Sequence, residues 1–252
     1  MFSWKTRTDK PIVIAHRGAS VTAPENTIAA FKKAIDEGTH AIELDVRLSH
    51  DNEVVVIHDS RLERTTSGRG KVEDFDLEGL KNFDAGSWFN PKYSVEVIPT
   101  LEEVFKLVNK KVGINIEIKQ KIKNKNKIIN SCVELAHKYK LNKSLLITSF
   151  EHSLVKKVKQ LDSTLMTGII YSPVIHLVNN PISLAKQYLA DVIVVSRNYL
   201  RERMVIDAHK EKKMIFVYTI ENRNHFDSMV NLNVDGIITN VPKSMKYYLS
   251  NL

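Results

Sequence analysis

Cysteine is all but missing from this chain of 252 residues, where Cys132 stands alone. One thiol excludes an internal disulfide. It lies in the helical run Ile128 to Tyr139, outside any His or acid motif that marks a nucleophile. A buried, neutral thiol and a reducing compartment are therefore expected. Long apolar runs are lacking too. No stretch approaches the length that spans a bilayer. The apolar run Pro11 to Ala15, after the polar and charged Met1 to Lys10, is too short for a signal-peptide core. A soluble, cytoplasmic protein without a transmembrane segment is the expectation. There is no low-complexity or disordered tract. Nor is there an aromatic-interleaved basic stripe or a helix-turn-helix pattern, which argues against nucleic acid despite a net charge of +8. That surplus, clustered at Lys119 to Lys127 and Lys210 to Lys213, suits anionic lipid or a phosphorylated small molecule. The run Lys121 to Lys127 itself reads as a solvated helix start.

What is present is a regular alternation. Hydrophobic residues make up 43% and charged residues 26%, the balance of a soluble globular chain. Short β-branched runs, Ile12–Ala15, Ala41–Val46, Ile114–Ile118, Leu145–Thr148, Leu165–Ile170, Val192–Val195, Ile215–Thr219 and Gly236–Thr239, alternate with amphipathic stretches. The latter are Glu25–Glu37, Leu101–Asn109, Lys125–Tyr139, His152–Gln160, Ile182–Tyr188, Leu200–Lys210, Arg223–Asn231 and Lys243–Leu249. Strand alternating with helix implies a parallel sheet, and eight repeats imply an α/β chain of the (β/α)₈ TIM-barrel type. Residues 1–252 read as one such domain. Residues 60–99, rich in Gly, Pro and aromatics, interrupt the alternation between the second strand and its helix. An unstructured loop of that length is improbable in a compact domain. It reads as a small insertion over the barrel mouth.

The most informative segment runs from Glu43 to Asp59. Residues i and i+2 of a strand share a face, so Glu43 and Asp45 point the same way. Two like charges on an apolar strand resist burial unless something positive lies between them. The polar stretch His50–Glu53 is turn-like, and Val54–Ile57 is a strand too closely linked for a parallel crossover, so the two form a hairpin. With Ser49 opposite Val54, Asp45 falls opposite His58. Taken alone, the segment fits an ordinary edge hairpin with solvent-facing acids equally well.

The strand ends decide between these readings, because barrel enzymes carry their catalytic groups there. The first strand ends in His16-Arg17-Gly18, the second carries Glu43 and Asp45 and leads to His58, and the third ends in Glu117-Ile118-Lys119. Three carboxylates without cysteine or paired-histidine spacing suit a hard divalent ion such as Mg²⁺ or Ca²⁺ more than zinc. Arg17 can fork onto phosphate oxygens and Lys119 adds a point charge. Two imidazoles can divide acid and base roles. Such a set suits a phosphate ester.

These residues, with Pro24-Glu25-Asn26-Thr27, His58-Asp59, Arg64-Thr65-Thr66, Asp84 to Phe89 and Pro99 to Glu103, resemble the glycerophosphodiester phosphodiesterase family in order from about Ile12 to Pro242. The resemblance implies a barrel related to the phosphatidylinositol-specific phospholipases C. It implies a divalent metal ion (Mg²⁺ or Ca²⁺) on Glu43, Asp45 and Glu117, acid–base catalysis by His16 and His58, and phosphate held by Arg17 and Lys119. The implied reaction hydrolyses a small-molecule glycerophosphodiester to sn-glycerol 3-phosphate and an alcohol. A neighbouring glycerol hydroxyl attacks first, and water opens the resulting cyclic phosphate.

Tyr218, Asn240 and the Glu221-Asn222 pair depart from the family pattern and bear on head-group preference. Phe150 and Tyr218 are candidates for an apolar pocket wall, and Trp88 and Phe89 for packing within the insertion. Glu25 and Asn26 read as a helix start that can also buttress His16. Asp59 reads as a partner of a histidine or of the insertion. The remaining histidines, among them His152 and His176, read as surface or packing residues. Two other functions stay open: a lysophospholipase D-type hydrolase of lysolipids, and a barrel that only binds phosphorylated ligands.

Overall fold

The computed structural model describes residues 2–5, 9–176 and 180–252. Met1 and Thr6–Thr8 of the polar N-terminal stretch lie outside the described residues. Eight parallel strands form the ring: β1 (Ile12–His16), β2 (Ala41–Leu48), β4 (Gly113–Ile118), β5 (Leu145–Ser149), β6 (Met166–Tyr171), β7 (Val192–Ser196), β8 (Met214–Tyr218) and β9 (Gly236–Thr239). Pairing of β1 with both β2 and β9 closes it. The remaining strand, β3 (Val54–Val56), runs antiparallel to the end of β2. Helices α1 (Ile28–Asp36), α3 (Leu101–Val108), α4 (Lys125–Lys138), α5 (His152–Leu161), α6 (Pro181–Gln187), α7 (Glu202–Lys210), α8 (Arg223–Asn231) and α9 (Pro242–Ser250) follow the barrel strands. A short helix, α2 (Leu77–Lys81), lies in the segment 60–99. This is the (β/α)₈ barrel expected from the alternation. Among the described residues no helix is long and apolar enough to cross a membrane.

Helix starts follow from side-chain caps. Thr100 and Glu103 form a reciprocal capping box on α3, and Asn124, Asn180 and Asn222 cap α4, α6 and α8. The first helix begins at Ile28, three residues later than its apolar pattern suggested, because Thr27 is its cap. The preceding Asn26 turns left-handed, with φ +58°. That frees Glu25 and Asn26 from the helix, and both reach the barrel mouth.

Strand parity separates packing from chemistry. Ile42, Leu44 and Val46 of β2 and Ile114, Ile116 and Ile118 of β4 pack outward in one core with Phe31, Leu101 and Phe105 of the helices. The alternate positions point into the barrel. Near the strand starts these are apolar: Ile12, Ile14, Leu146, Met166, Val192, Met214 and Phe216 cluster inside the ring. The wholly buried Trp4 joins them, 5.6 Å from the Phe216 ring, with its indole N–H donating to Ser144 O at 2.7 Å. The bottom of the barrel is thereby plugged by a segment whose composition reads as polar. Continuing the inward parity to the C-terminal ends gives His16, Glu43, Asp45 and Glu117. A separate small core of Leu62, Val72, Leu80, Ala85 and Ile98 forms against Val55 and Ile57 of the hairpin.

His152, at the start of α5, is 6% exposed, points Nε2 at Ile170 O at 3.1 Å and stacks on His176 with centroids 4.1 Å apart. Burial pushes its imidazole from 6.5 down to about 4. Between those values the unfolded chain binds the extra proton, so stability is full above pH 6.5 and is lost as pH falls. We expect this group to cost on the order of 1–3 kcal/mol between pH 7 and pH 4.5. Urea unfolding at both pH values should show a smaller loss in His152→Gln. An equal loss in the variant would contradict the assignment.

Candidate active site

Glu43 and Asp45 stand two residues apart on β2, and Asp45 is in register with Glu117 on β4. One oxygen from each of the three carboxylates lies within 4.8 Å of the others. Asp45 is wholly buried and Glu43 is 4% exposed. Asp45 is the most supported. It accepts from Asn26 Nδ2 at 2.9 Å, and Lys119 Nζ and Arg17 Nε stand 3.3 and 3.2 Å away. Against the cost of burial, Lys119 and Arg17 hold Asp45 well below the usual carboxylate range. Glu43 moves the other way: burial, Asp45 and Glu117 push it well above its ordinary value. Its main support is the backbone N–H of Arg17 at 3.0 Å. Burial also raises Glu117, against the pull of the adjoining Lys119 ammonium. Such crowding fits a hard cation. Oxygens around one Mg²⁺ or Ca²⁺, at roughly 2.1–2.5 Å from it, stand roughly 3–5 Å from one another.

The turn after β1 is built for this contact. Arg17 adopts φ +56° and Gly18 φ +85°. A Cβ on Gly18 would lie 2.6 Å from the backbone carbon of Ala30, so α1 packs flush against the turn only with glycine there. The left-handed pair turns the Arg17 N–H toward Glu43 and sends its guanidinium over Asp45. Arg17 Nε is buried and has no hydrogen bond of good geometry.

Both imidazoles face the same cavity of about 250 Å³, which also bears Arg17, Glu43, Glu117 and Lys119. His16 Nδ1 lies 2.7 Å from Asn240 Oδ1, whose Nδ2 donates to Glu221. The amide oxygen therefore faces the ring, Nδ1 carries the proton, and Nε2 is free, 4.0 Å from Glu43 Oε2. His58 Nδ1 lies 2.6 Å from Asp59 Oδ1. A carboxylate only accepts, so here too Nε2 is free. Burial, then Arg17, pushes His16 down to about 4. Burial also lowers His58, helped by Lys119 and Arg17, while the charge of Asp45 and the hydrogen bond to Asp59 oppose it. The opposite wall is apolar, with Phe150, Tyr218, Ile170 and Val194. Burial and Glu117 raise the Tyr218 hydroxyl to about 12, so it stays protonated.

Several expectations change in detail. The hairpin pairs Leu48 with Val54 and Val46 with Val56, one step from the anticipated register. Ser49 pairs with Glu53 instead, its N–H donating to Glu53 O while its hydroxyl accepts from Glu53 N–H. Three residues with a left-handed Asn52 (φ +65°) make the turn. Asp45 thus faces Ile57, whose N–H donates to Asp45 O, and His58 reaches the cavity only because β3 has ended. Glu25 and Asn26 do not touch His16. Glu25 grips Arg17 and Arg64, and Asn26 grips Asp45. Asp59 serves both of its anticipated partners, His58 and Arg64 of the insertion. Trp88, though 42% exposed, packs within the insertion as expected: its indole N–H donates to Ala85 O at 2.9 Å and its ring meets Phe89 edge-on. Arg17 and Lys119 are engaged by the carboxylates. Asn240, read from sequence as a head-group residue, contacts His16. Its signal was parity: Ala15 pairs with Thr239, which carries His16 opposite Asn240.

A parallel barrel whose strand ends gather paired acids, two oriented imidazoles and two cations belongs to the class of phosphoric diester hydrolases. More particularly, this chain belongs to the glycerophosphoryl diester phosphodiesterase family, whose sequence profile matches residues 16–244. A glycerophosphodiester phosphodiesterase of Caldanaerobacter subterraneus subsp. tengcongensis is 38% identical over 94% of this chain and 96% of its own length. One from Bacillus altitudinis is 32% identical over 91% and 94%. Among solved structures, an Oleispira antarctica phosphodiesterase in complex with the product sn-glycerol-3-phosphate superposes with a TM-score of 0.90. It is 28% identical, over 96% of this chain and 97% of the other.

The electrostatics of Glu43 give a stability test. A folded-state value above the unfolded one means that stability is present below pH 4.5 and is lost as pH rises. In chelator, Glu43→Gln should therefore melt higher than wild type at pH 8, by about 2–6 °C, with the gap closing toward pH 4.5. A wild type that melts as high as the variant at pH 8 would contradict the charge crowding.

Proposed function

We propose that this chain hydrolyses glycerophosphodiesters to sn-glycerol 3-phosphate and an alcohol, using His16 and His58 as base and acid beside a divalent ion held by Glu43, Asp45 and Glu117. The observation that carries the reading is that His16 and His58, each with a free Nε2, line one small cavity with Glu43 and Glu117, and that Asp45 lies within 4.8 Å of both carboxylates. Three carboxylates against Arg17 and Lys119 leave one net negative charge. When bound, Mg²⁺ or Ca²⁺ reverses that sign to match a phosphodiester monoanion and supplies Lewis acidity at phosphorus.

The two imidazoles differ in what stands behind them. His16 is backed by a neutral amide and stays uncharged, so its Nε2 accepts the proton of the attacking hydroxyl. His58 is backed by the Asp59 carboxylate, which works against the burial that lowers it and steadies the imidazolium when it forms, so it delivers a proton to the departing alkoxide. When water opens the cyclic phosphate, the roles reverse. Arg17, with its unsatisfied Nε, and Lys119 are read as the cations that would bind the phosphate oxygens beside an ion held by the carboxylates. Residues 60–99 are read as a wall of the mouth, tied to it by Arg64. A cavity of this size with a charged half favours a deacylated substrate over a lysolipid.

Glycerol 3-phosphate release from glycerophosphocholine should occur with Mg²⁺ or Ca²⁺ and vanish in EDTA. His16→Ala and His58→Ala should each lower turnover by about 10²–10⁴-fold while the melting temperature holds. Full activity in both variants would overturn the roles. No release with any divalent ion would leave a barrel that only binds phosphorylated ligands.

A further inference from the structure

The inward face of β2 does not end at Asp45. Arg47 is the next residue of the same parity, about 7 Å further along the strand. It is half-buried, and its Nε donates to His58 O at 2.9 Å. Its remaining guanidinium nitrogens have no carboxylate within ion-pair range among the described residues. Every acid whose charge reaches it is committed elsewhere. Asp45 and Glu117 are held by Lys119, and Asp59 by Arg64. Glu73 is 3.2 Å from Lys123 and 3.8 Å from Lys71. A guanidinium withdrawn from water without an anion partner carries an unmet cost that a ligand anion would relieve.

The space around Arg47 leads out of the catalytic cavity. A cavity of about 230 Å³ shares Glu117, Lys119 and Phe150 with it and is also lined by Arg47, Ser60 and Lys121. The same Arg47, Ser60 and Lys121 border an outer cleft of about 460 Å³, where Lys71 and Lys123 outnumber the single acid Glu73. A track of adjoining cavities thus runs from the catalytic cavity past Arg47, which is hydrogen-bonded to His58 O, to the surface, and along its lining basic side chains outnumber the acids Glu117 and Glu73. His58 is the residue that faces the departing alcohol, so the track begins on the alcohol's side. A cationic alcohol such as choline gains nothing from such a lining, whereas an alcohol bearing a second anion does.

We propose that Arg47, with Lys121, forms a second anion subsite for the departing alcohol, and that the preferred substrates are glycerophosphodiesters whose alcohol carries a further phosphate. The inference rests on the phosphodiesterase reading of the cavity and adds the substrate class. The reacting phosphodiester sits at the carboxylates, and the second phosphate takes the free guanidinium edge of Arg47, with Lys121 closing over it from the loop before α4.

The test compares glycerophosphoglycerol with the same diester phosphorylated on its terminal glycerol, following loss of the diester ³¹P resonance in Mg²⁺. Wild type should favour the phosphorylated substrate by about 10–100-fold in kcat/KM, the range for hydrogen bonds to a charged group. The preference should shrink as salt rises. In Arg47→Met, which keeps the apolar stem, the ratio between the two substrates should fall to near one, whatever absolute rate the variant retains. Lys121→Ala, in an exposed loop, should lower the ratio partway. Equal use of both substrates by wild type would overturn the subsite while leaving the phosphodiesterase reading in place. So would an Arg47→Met variant that slows both substrates equally, since Arg47 would then only support His58. Hydrolysis of neither substrate would overturn the phosphodiesterase reading itself, and the subsite with it.

Discussion

Mutual repulsion of three crowded carboxylates, two of them buried, is the constraint around which the rest of this molecule is arranged. Glu43, Asp45 and Glu117 sit closer together than like charges tolerate in a poorly solvated site. The chain answers with fixed countercharge. Arg17 and Lys119 reach in, Asn26 and the Arg17 backbone donate hydrogen bonds, and a second ring of Glu25, Arg64 and Asp59 holds Arg17 and His58 in place. The compensation is unequal. Asp45 takes most of it and remains a carboxylate, while Glu43 is left with a charge it can bear only beside a cation. A stability defect of this kind is what a site built for a divalent ion and a phosphate ester is expected to carry.

The barrel makes such a defect tolerable by confining it to one layer. Inward-facing positions are apolar at the strand starts, sealed below by Trp4 and Phe216, and turn polar from the level of Glu43 and the Asn115–Thr148 pair upward. The polar layer therefore rests on a rigid floor. β2 is the long exception. It outruns the barrel, carries its acids and then Arg47 on one face, and returns through β3 to deliver His58. One strand thus supplies two metal-ligand candidates, sets the position of an imidazole and extends cationic character beyond the reacting centre.

Much of this was legible in the sequence because it depends on period alone. The eight barrel strands were read to within about two residues. The Ile114–Ile118 stretch, for example, is a strand from Gly113 to Ile118, since alternating Ile with Asn and Glu admits few other structures. The convergence of His16, Glu43, Asp45, His58, Glu117 and Lys119 followed from strand ends. What stayed hidden depends on contacts between distant segments or on turn geometry. Nothing local in Met1–Lys10 announces that Trp4 plugs a barrel. The hairpin register turned on whether Ser49 pairs with Val54 or Glu53, a one-residue difference that hydrophobicity does not report. Asn240 looked like a specificity residue because only the β1–β9 register places it behind His16.

The central claim, that one divalent cation is what the three carboxylates share, is tested most directly by anomalous diffraction from crystals grown with Mn²⁺. A single strong peak about 2.0–2.6 Å from one oxygen each of Glu43, Asp45 and Glu117, with Lys119 drawn away from the carboxylates, is the expected result. A peak elsewhere, or none while the lysine stays bridged to Glu117 and Asp45, would contradict it.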